Sequence, residues 1–577
     1  MTSPERLHVQ NGTLFDGTGA PGRPADVVVE DGRIAAILPP MQRVHDARVI
    51  DASGAWIAPG FLDVHTHYDA EVELLPGLPE SVRHGVTTVV MGSCGLSMAV
   101  GDPVDLADMF CRVEGIPRAT VKPMLERVKT WDGPAAYFDH LASLPLGPNV
   151  AALLGHSAIR AASMGLERSL TSGVRPNELE LARMDALLSE ALDAGYLGLS
   201  INTLTWDKMD GDGDLRSRPT PSVFATWSEY RRLARQLRAR GRILQGVPNV
   251  STKVNVLLFF LESLGVMRPG LKTMLITMMD AKAARLPFRA AGLLASLVNR
   301  LLGADLRFQS LPNVFDLWVD GMEAPIFEEI GAGTAALHER DDETRARLLR
   351  DPAFRRRFRR EWGSWLLGRA YHRDLDDTEI QECPGDRALV GKSIGQVARE
   401  RGVDPIDALL DLVAEHGRAL RWYTVIGNDR PEWLRWIVSH PAVLIGFSDA
   451  GAHLRNMAHY NFPLRLLRMA KDDRVMPIER AVHRLTGELA TWLGIDAGRI
   501  AEKARADLVV IDPAGLTSDV DRIVEVEMPG FDGLSRLVRR NDRAVRSVVV
   551  GGREVVREGA PLDVLGRERS GSLLRAG

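Results

Sequence analysis

Between residues 60 and 451, short apolar runs alternate with amphipathic stretches, and that alternation constrains the fold more than any other feature. The runs are GFLDVHTH (60–67), TTVVMGSCG (87–95), NVAALLGH (149–156), GYLGLSIN (195–202), RILQGVP (242–248), TMLITMMD (273–280) and VLIGFSDAG (443–451). They are short and mostly apolar, as strands buried on both faces of a parallel sheet are. Helical periodicity marks 177–194, 227–241, 287–302 and 405–417. Strands alternating with helices imply an α/β architecture. The seven strand candidates predict a TIM-like (β/α)8 barrel with one strand unplaced, and LPNVF (311–315) is the candidate for it. A doubly wound open sheet fits the same alternation.

The two ends use a different grammar. NGT, DGTGAPGRP and ADVVVEDGRIAAILP at the start, and ADLVVIDP (506–513) and AVRSVVVGGREVVREG (544–559) at the close, are β-prone runs broken by Asn-Gly, Asp-Gly and Gly-Gly turns. Because chain ends lie close together in many domains, both ends are expected to build one small β-sandwich. The alternative is two unrelated β-extensions. The resulting division is 1–57 and 500–577 for the sandwich and 58–499 for the barrel. A helical insertion is expected at about 316–392, where RARLLRDPAFRRRFRREWGSWLLGR (345–369) is rich in Trp and charge. Its RRRFRR run reads as a solvated helix face, with phosphate binding as the alternative.

Composition narrows the function classes. Lys plus Arg number 72 against 76 Asp plus Glu, a net charge of −4, which excludes a generally basic nucleic-acid-coating surface. Three cysteines in 577 residues are no disulfide framework and suit a reducing compartment. The opening MTSPERLHVQNGTLFDG lacks the apolar core of a secretory signal. No run reaches the ~18 apolar residues of a membrane span; the nearest, VNVLLFFLESLGVM (254–267), is short and carries Glu262. The expectation is a cytoplasmic protein without nucleic-acid or membrane partners.

The chemistry concentrates at strand ends. His65 and His67 close an apolar run, and residues i and i+2 of a strand point to one face, so two imidazoles converge there. In a barrel the C-terminal strand ends form the active site. Asp449 ends another run in Ser448-Asp449-Ala450-Gly451. A carboxylate there is costly to bury unless paired or metal-bound, and it could also serve as a base; alone it would read as a helix cap. Cys94, between glycines after a third strand, is either a thiolate ligand or a small residue in a tight turn.

These motifs sit in a longer series: NGTLFDGTGAPGRPADVVVEDGRIAAI, APGFLDVHTHYDAE, HGVTTVVMGSCG (84–95), RVEGIPR (112–118), NVAALLGHSAIRAASMG (149–165), GYLGLS (195–200), GFSDAGAHL (446–454), HRLTGELATWLGI (483–495) and GRIAEKARADLVVIDP (498–513). In order and spacing the series resembles the amidohydrolase superfamily, and within it the N-acyl-D-amino-acid deacylase (D-aminoacylase-like) branch, over nearly the whole chain. The resemblance implies a metal-dependent barrel with a β-sandwich from both termini. It implies His65 and His67 as metal ligands, Cys94 as a ligating or bridging thiolate, and Asp449 as a ligand that also shuttles the proton. It further implies a divalent ion, Zn2+ foremost, one or two per chain, and a small-molecule amide substrate. A homo-oligomer is left open.

Two features of that family are missing. The stretch matching the strand-five histidine reads RILQGVPN, and the one matching the strand-six histidine reads LITMMDAK. Gln245, Asp280 and Lys282 lie close by in sequence. His156 could replace a ligand, polarise a carbonyl or orient a ligand, or be a structural histidine. Arg160 could bind a carboxylate or pair within the barrel, while His453 and His459 form a second tier near Asp449. The expected reaction is hydrolysis of a C–N amide bond, first of an N-acyl amino acid, N-acyl-D-amino acids included. A cyclic or hydrophobic amide is the alternative within the same chemistry. A catalytically degenerate barrel acting as a scaffold is the rival from another class.

Overall fold

The computed structural model describes residues 6–249, 254–364 and 369–577. The first five residues and residues 365–368 of the Trp- and Arg-rich run lie outside the described residues.

Eight parallel strands form the barrel: Phe61–Asp63, Val86–Met91, Asn149–Gly155, Gly198–Asn202, Ile243–Val247, Lys272–Leu275, Asp305–Ser310 and Val443–Ile445. Short extensions close the ring, because His65–Thr66 pairs in parallel with Phe447–Ala450 and the Val64 N–H donates to Gly446 O at 2.7 Å. The unplaced strand is DLRFQS at 305–310, not 311–315. Its alternation of Asp305, Arg307 and Gln309 with apolar residues lacks the continuous run that marks its neighbours. Gln309 is nonetheless fully buried, because it serves the site. At the base, Leu62, Val64, Val90, Leu153 and Met274 pack with Trp492 and Leu493.

The two ends of the chain meet in one nine-stranded sheet. Leu508–Ile511 runs antiparallel to Trp56–Pro59, which is parallel to the end of Leu7–Leu14. Val9, Val27, Ile57, Leu508 and Val510 share its core.

The excursion between the seventh and eighth barrel strands is longer and less helical than 316–392 suggests. It holds a three-stranded antiparallel sheet of Phe315–Asp320, Arg421–Gly427 and Glu379–Glu382. The helix Pro405–His416 packs in this unit's own core with Leu317, Phe327, Phe358 and Trp422. In Pro352–Trp362, Phe354, Phe358 and Trp362 recur every four residues and are buried. The arginines between them point outward, with Arg355 on Asp411, Arg359 on Asp407 and Arg357 on Glu361. That is an ion-paired helix face.

Candidate metal centre

The first barrel strand ends in His65 and His67 with Thr66 turned the other way, its hydroxyl donating to Val90 O at 2.8 Å. The two imidazoles therefore face inward together, with their Nε2 atoms 3.2 Å apart. Cys94 enters from the turn after the second strand, its Sγ 3.4 Å from His65 Nε2 and 3.7 Å from His67 Nε2. Asp449 enters from the eighth strand, with Oδ1 3.6 Å from His65 Nε2 and 3.3 Å from His67 Nε2. Cys94 and Asp449 both adopt left-handed backbone conformations, φ 56° and 60°. This geometry is uncommon for non-glycine residues and concentrates at functional sites. The structure thus brings together all four residues singled out as ligands.

The outer nitrogens face Gln309 and Glu114, which sequence reasoning did not single out, and Gln245, which it noted beside the missing strand-five histidine. Gln309 donates its amide to Val64 O at 3.1 Å, which turns its Oε1 to His65 Nδ1 at 2.8 Å. Gln245 lies 3.3 Å from the same nitrogen and accepts the Cys94 N–H at 3.1 Å. Glu114 Oε1 stands 2.8 Å from His67 Nδ1. Below, Asp63 accepts the Ser448 hydroxyl and lies 3.3 Å from the His65 N–H. Glu114 sits inside the RVEGIPR motif and Gln309 on the polar-alternating strand, so both leave a sequence signal, but only the fold places them behind the histidines.

Burial and neighbouring charge set the electrostatics. His65 is pushed down to about 3, first by burial and then by His67 beside it. For His67 burial is outweighed by Glu114 and Cys94, and the ring is held well above the usual imidazole range. Burial pushes the Cys94 thiol up to about 12. Asp449 is buried, yet its contact with His67 and the surrounding imidazoles hold it well below the usual carboxylate range. Two lone-pair nitrogens, a sulfur and a carboxylate oxygen facing one another repel unless a cation or a proton lies between them. His65, His67 and Cys94 alone bring three ligand atoms within 4.8 Å of one another. The donor set fits one borderline-soft divalent ion.

The remaining candidates sit elsewhere. His156 lies 3.1 Å from Ser222 Oγ and 3.2 Å from Glu229 Oε1, and Arg160 also pairs with Glu229. These two form a buried network with Glu229, the structural alternative that the sequence left open for both. Asp280 is clamped by Arg430 at 2.6 Å and 2.7 Å, and Lys282 pairs with Asp377. Neither reaches the cluster, so neither replaces the missing histidines. His459 packs against Phe315 and lies 3.3 Å from Arg539. His453 lines a cleft of about 820 Å³ with Asp207, Lys208 and Arg112. The His453 N–H donates to Glu114 O at 2.7 Å, so one wall of this cleft is tied to the residue whose carboxylate stands behind His67.

An amidohydrolase family model matches residues 331–556. An uncharacterized protein of Mycobacterium tuberculosis (strain ATCC 25618 / H37Rv) is 49% identical over 584 residues, covering 99% of this chain and 95% of that one. D-aminoacylase from Alcaligenes xylosoxydans xylosoxydans is 28% identical over 526 residues, 89% of each chain. Among solved structures, N-acyl-D-glutamate deacylase from Bordetella bronchiseptica, complexed with zinc and a phosphonate inhibitor, is 25% identical with a TM-score of 0.65 over 99% of both chains. Fold, cluster and relatives together define a barrel hydrolase acting on carbon–nitrogen bonds other than peptide bonds. The chain belongs to the amidohydrolase superfamily, in its D-aminoacylase-like branch.

Proposed function

We propose that this chain is a metal-dependent deacylase of N-acyl amino acids, the D-configured ones foremost, working with one Zn2+ in a reducing compartment. The observation that carries the reading is the convergence of His65, His67, Cys94 and Asp449 at the mouth of the barrel. The named activities of the D-aminoacylase and N-acyl-D-glutamate deacylase relatives support the substrate class. One ion rather than two is supported by Gln245, whose Oε1 accepts the Cys94 N–H, and by Asp280, which is held by arginine.

A divalent ion held there supplies Lewis-acid chemistry, polarising a carbonyl and acidifying water. His65 and His67 offer Nε2 because Gln309 and Glu114 occupy their Nδ1 sides. Cys94 and Asp449 complete the donor set. Asp449, ionised at neutral pH, takes the proton of the attacking water and delivers it to the leaving nitrogen. The C–O bond forms, the C–N bond breaks, and the products are a carboxylic acid and a free amine. The cleft beside Asp207 and His453 receives the substrate.

The test is metal per chain on zinc-replete protein, with amine release from matched N-acyl-D- and N-acyl-L-amino acids. The expected result is about one ion per chain, lost in His65→Ala, together with hydrolysis of the D series. Asp449→Asn should lower kcat by on the order of 10²–10⁴. Protein that binds no zinc, or binds two ions, overturns the metal reading. Equal turnover of both enantiomers overturns the stereochemical one.

A further inference from the structure

Two helices on the barrel wall, Val254–Ser263 and Pro287–Leu301, are built inside out for a surface in water. Their single acidic residue, Glu262, is buried and lies 3.1 Å from Arg238, while Leu257 and Leu261 face outward. On the second helix Phe288, Ala295 and Val298 pack inward. Leu293, Leu297 and Leu301 face outward, 62%, 52% and 65% exposed. The Gly265 N–H donates to Leu302 O at 2.9 Å, so the far ends of the two helices meet on the barrel wall. Of the sixteen large hydrophobic side chains exposed among the described residues, eleven lie between 254 and 302. Scattered exposed leucines are ordinary, but a contiguous apolar face marks an interaction site.

The face is also cationic. From 254 to 304 the chain holds six bases and two buried acids, Glu262 and Asp280; Lys282 and Arg285 pair with Asp377 and Asp429, and Arg289 and Arg300 remain on the helix face. The chain as a whole carries −4. Arg289 lies over the half-buried Trp433 ring at 4.3 Å, and Arg300 is exposed in the last turn beside Leu301. Leucines flanked by arginine and a tryptophan match the boundary between acyl chains and anionic headgroups, where apolar side chains insert and guanidinium groups meet phosphate.

We propose that this face docks the enzyme on an anionic lipid surface. A second copy fits less well: a two-fold contact through this face would oppose Arg289 and Arg300 with their own counterparts, and no exposed acid between 254 and 304 answers them. Among the described residues no helix is long and apolar enough to cross a membrane. The contact lies on the bilayer rather than across it, a mode that the sequence criterion for a membrane partner does not test. Both helices follow loops at the C-terminal ends of barrel strands and run toward the base, so docking on this wall leaves the mouth open.

The experiment is co-sedimentation of the full chain with vesicles of phosphatidylcholine alone or with about 30% phosphatidylglycerol. Sedimentation velocity without lipid runs alongside. Wild type is expected to pellet with the anionic vesicles and not with the neutral ones. The Leu293→Glu/Leu297→Glu double variant should lose binding roughly tenfold or more at an unchanged melting temperature and assembly state. Leu179→Glu, at an exposed leucine outside this face, should bind as wild type does. Wild type that stays in the supernatant overturns the proposal. So does equal binding to neutral vesicles, or a double variant whose only change is a smaller assembly in solution. The readout is binding, not hydrolysis, and stands apart from the proposed reaction.

Discussion

Glu114 stands 2.8 Å behind His67 Nδ1, and Gln309 the same distance from His65 Nδ1. Partners of this kind fix the tautomer and the ring plane of a ligating histidine. Glu114→Gln is therefore expected to weaken zinc affinity by about 10–100-fold with the fold intact. Competition against a chelator, with circular dichroism as the fold control, measures it; unchanged affinity would remove Glu114 from the site. The convergence of His65 and His67 was legible, since a His-x-His at a strand end announces two imidazoles on one face. Glu114 and Gln309 were not, because Gln309 lies 244 residues from His65 along the chain and nothing local marks the pairing. His459 shows burial acting without a ligand role. It is pushed down to about 3, mainly by burial and then by Arg539. An unfolded chain takes up this proton near pH 6.5, so the folded state loses stability as pH falls from there toward 3. His459→Asn should melt with a flatter pH dependence between those limits. A slope equal to that of wild type would show that His459 does not drive the acid loss.

Elements were legible where one physical demand dominated them. The buried parallel strands read as apolar runs because both faces are covered. The strand Asp305–Ser310 escaped because it serves two demands, packing through Leu306 and Phe308 and supporting the site through Gln309. The helix Pro405–His416 read correctly as a helix but not by its place, since amphipathicity says that a helix has a core and not which core. That core belongs to the excursion: Phe358 is fully buried there, its centroid 5.5 Å from Trp362 and 6.5 Å from Phe327. Phe358→Ala should cost roughly 3–5 kcal/mol locally. Because this cluster is separate from the barrel core, limited proteolysis should cut first between 315 and 427 while zinc stays bound. Simultaneous loss of metal would mean that the two cores unfold as one unit.

At the scale of the whole molecule, the barrel is closed differently at its two ends. The mouth carries the cluster of His65, His67, Cys94 and Asp449 and lies on the side of the His453 cleft. The base is sealed by the chain's last residues, which return beneath the second and third strands. The Val150 N–H donates to Ser572 O at 2.9 Å, the Leu574 N–H to Val150 O at 2.7 Å, and the Arg242 guanidinium to Gly577 O at 2.8 Å. Leu574 is the apolar residue of this return, 5% exposed and packed with Leu62, Val90, Ala151 and Trp492. Truncating it leaves a cavity among side chains fixed by eight strands, which cannot collapse to fill it. Leu574→Ala should therefore cost roughly 2–5 kcal/mol, read as a lower melting temperature in the zinc-loaded protein. The ligands sit at the opposite ends of the same strands, so zinc per chain and kcat at a permissive temperature should stay at wild-type values. A variant that loses zinc at full melting temperature would place Leu574 in the metal site's support, against the separation of a stabilising base from a reactive mouth. A variant that melts early and keeps its metal would confirm that separation, because the strands then hold the site rigid without help from the plug below.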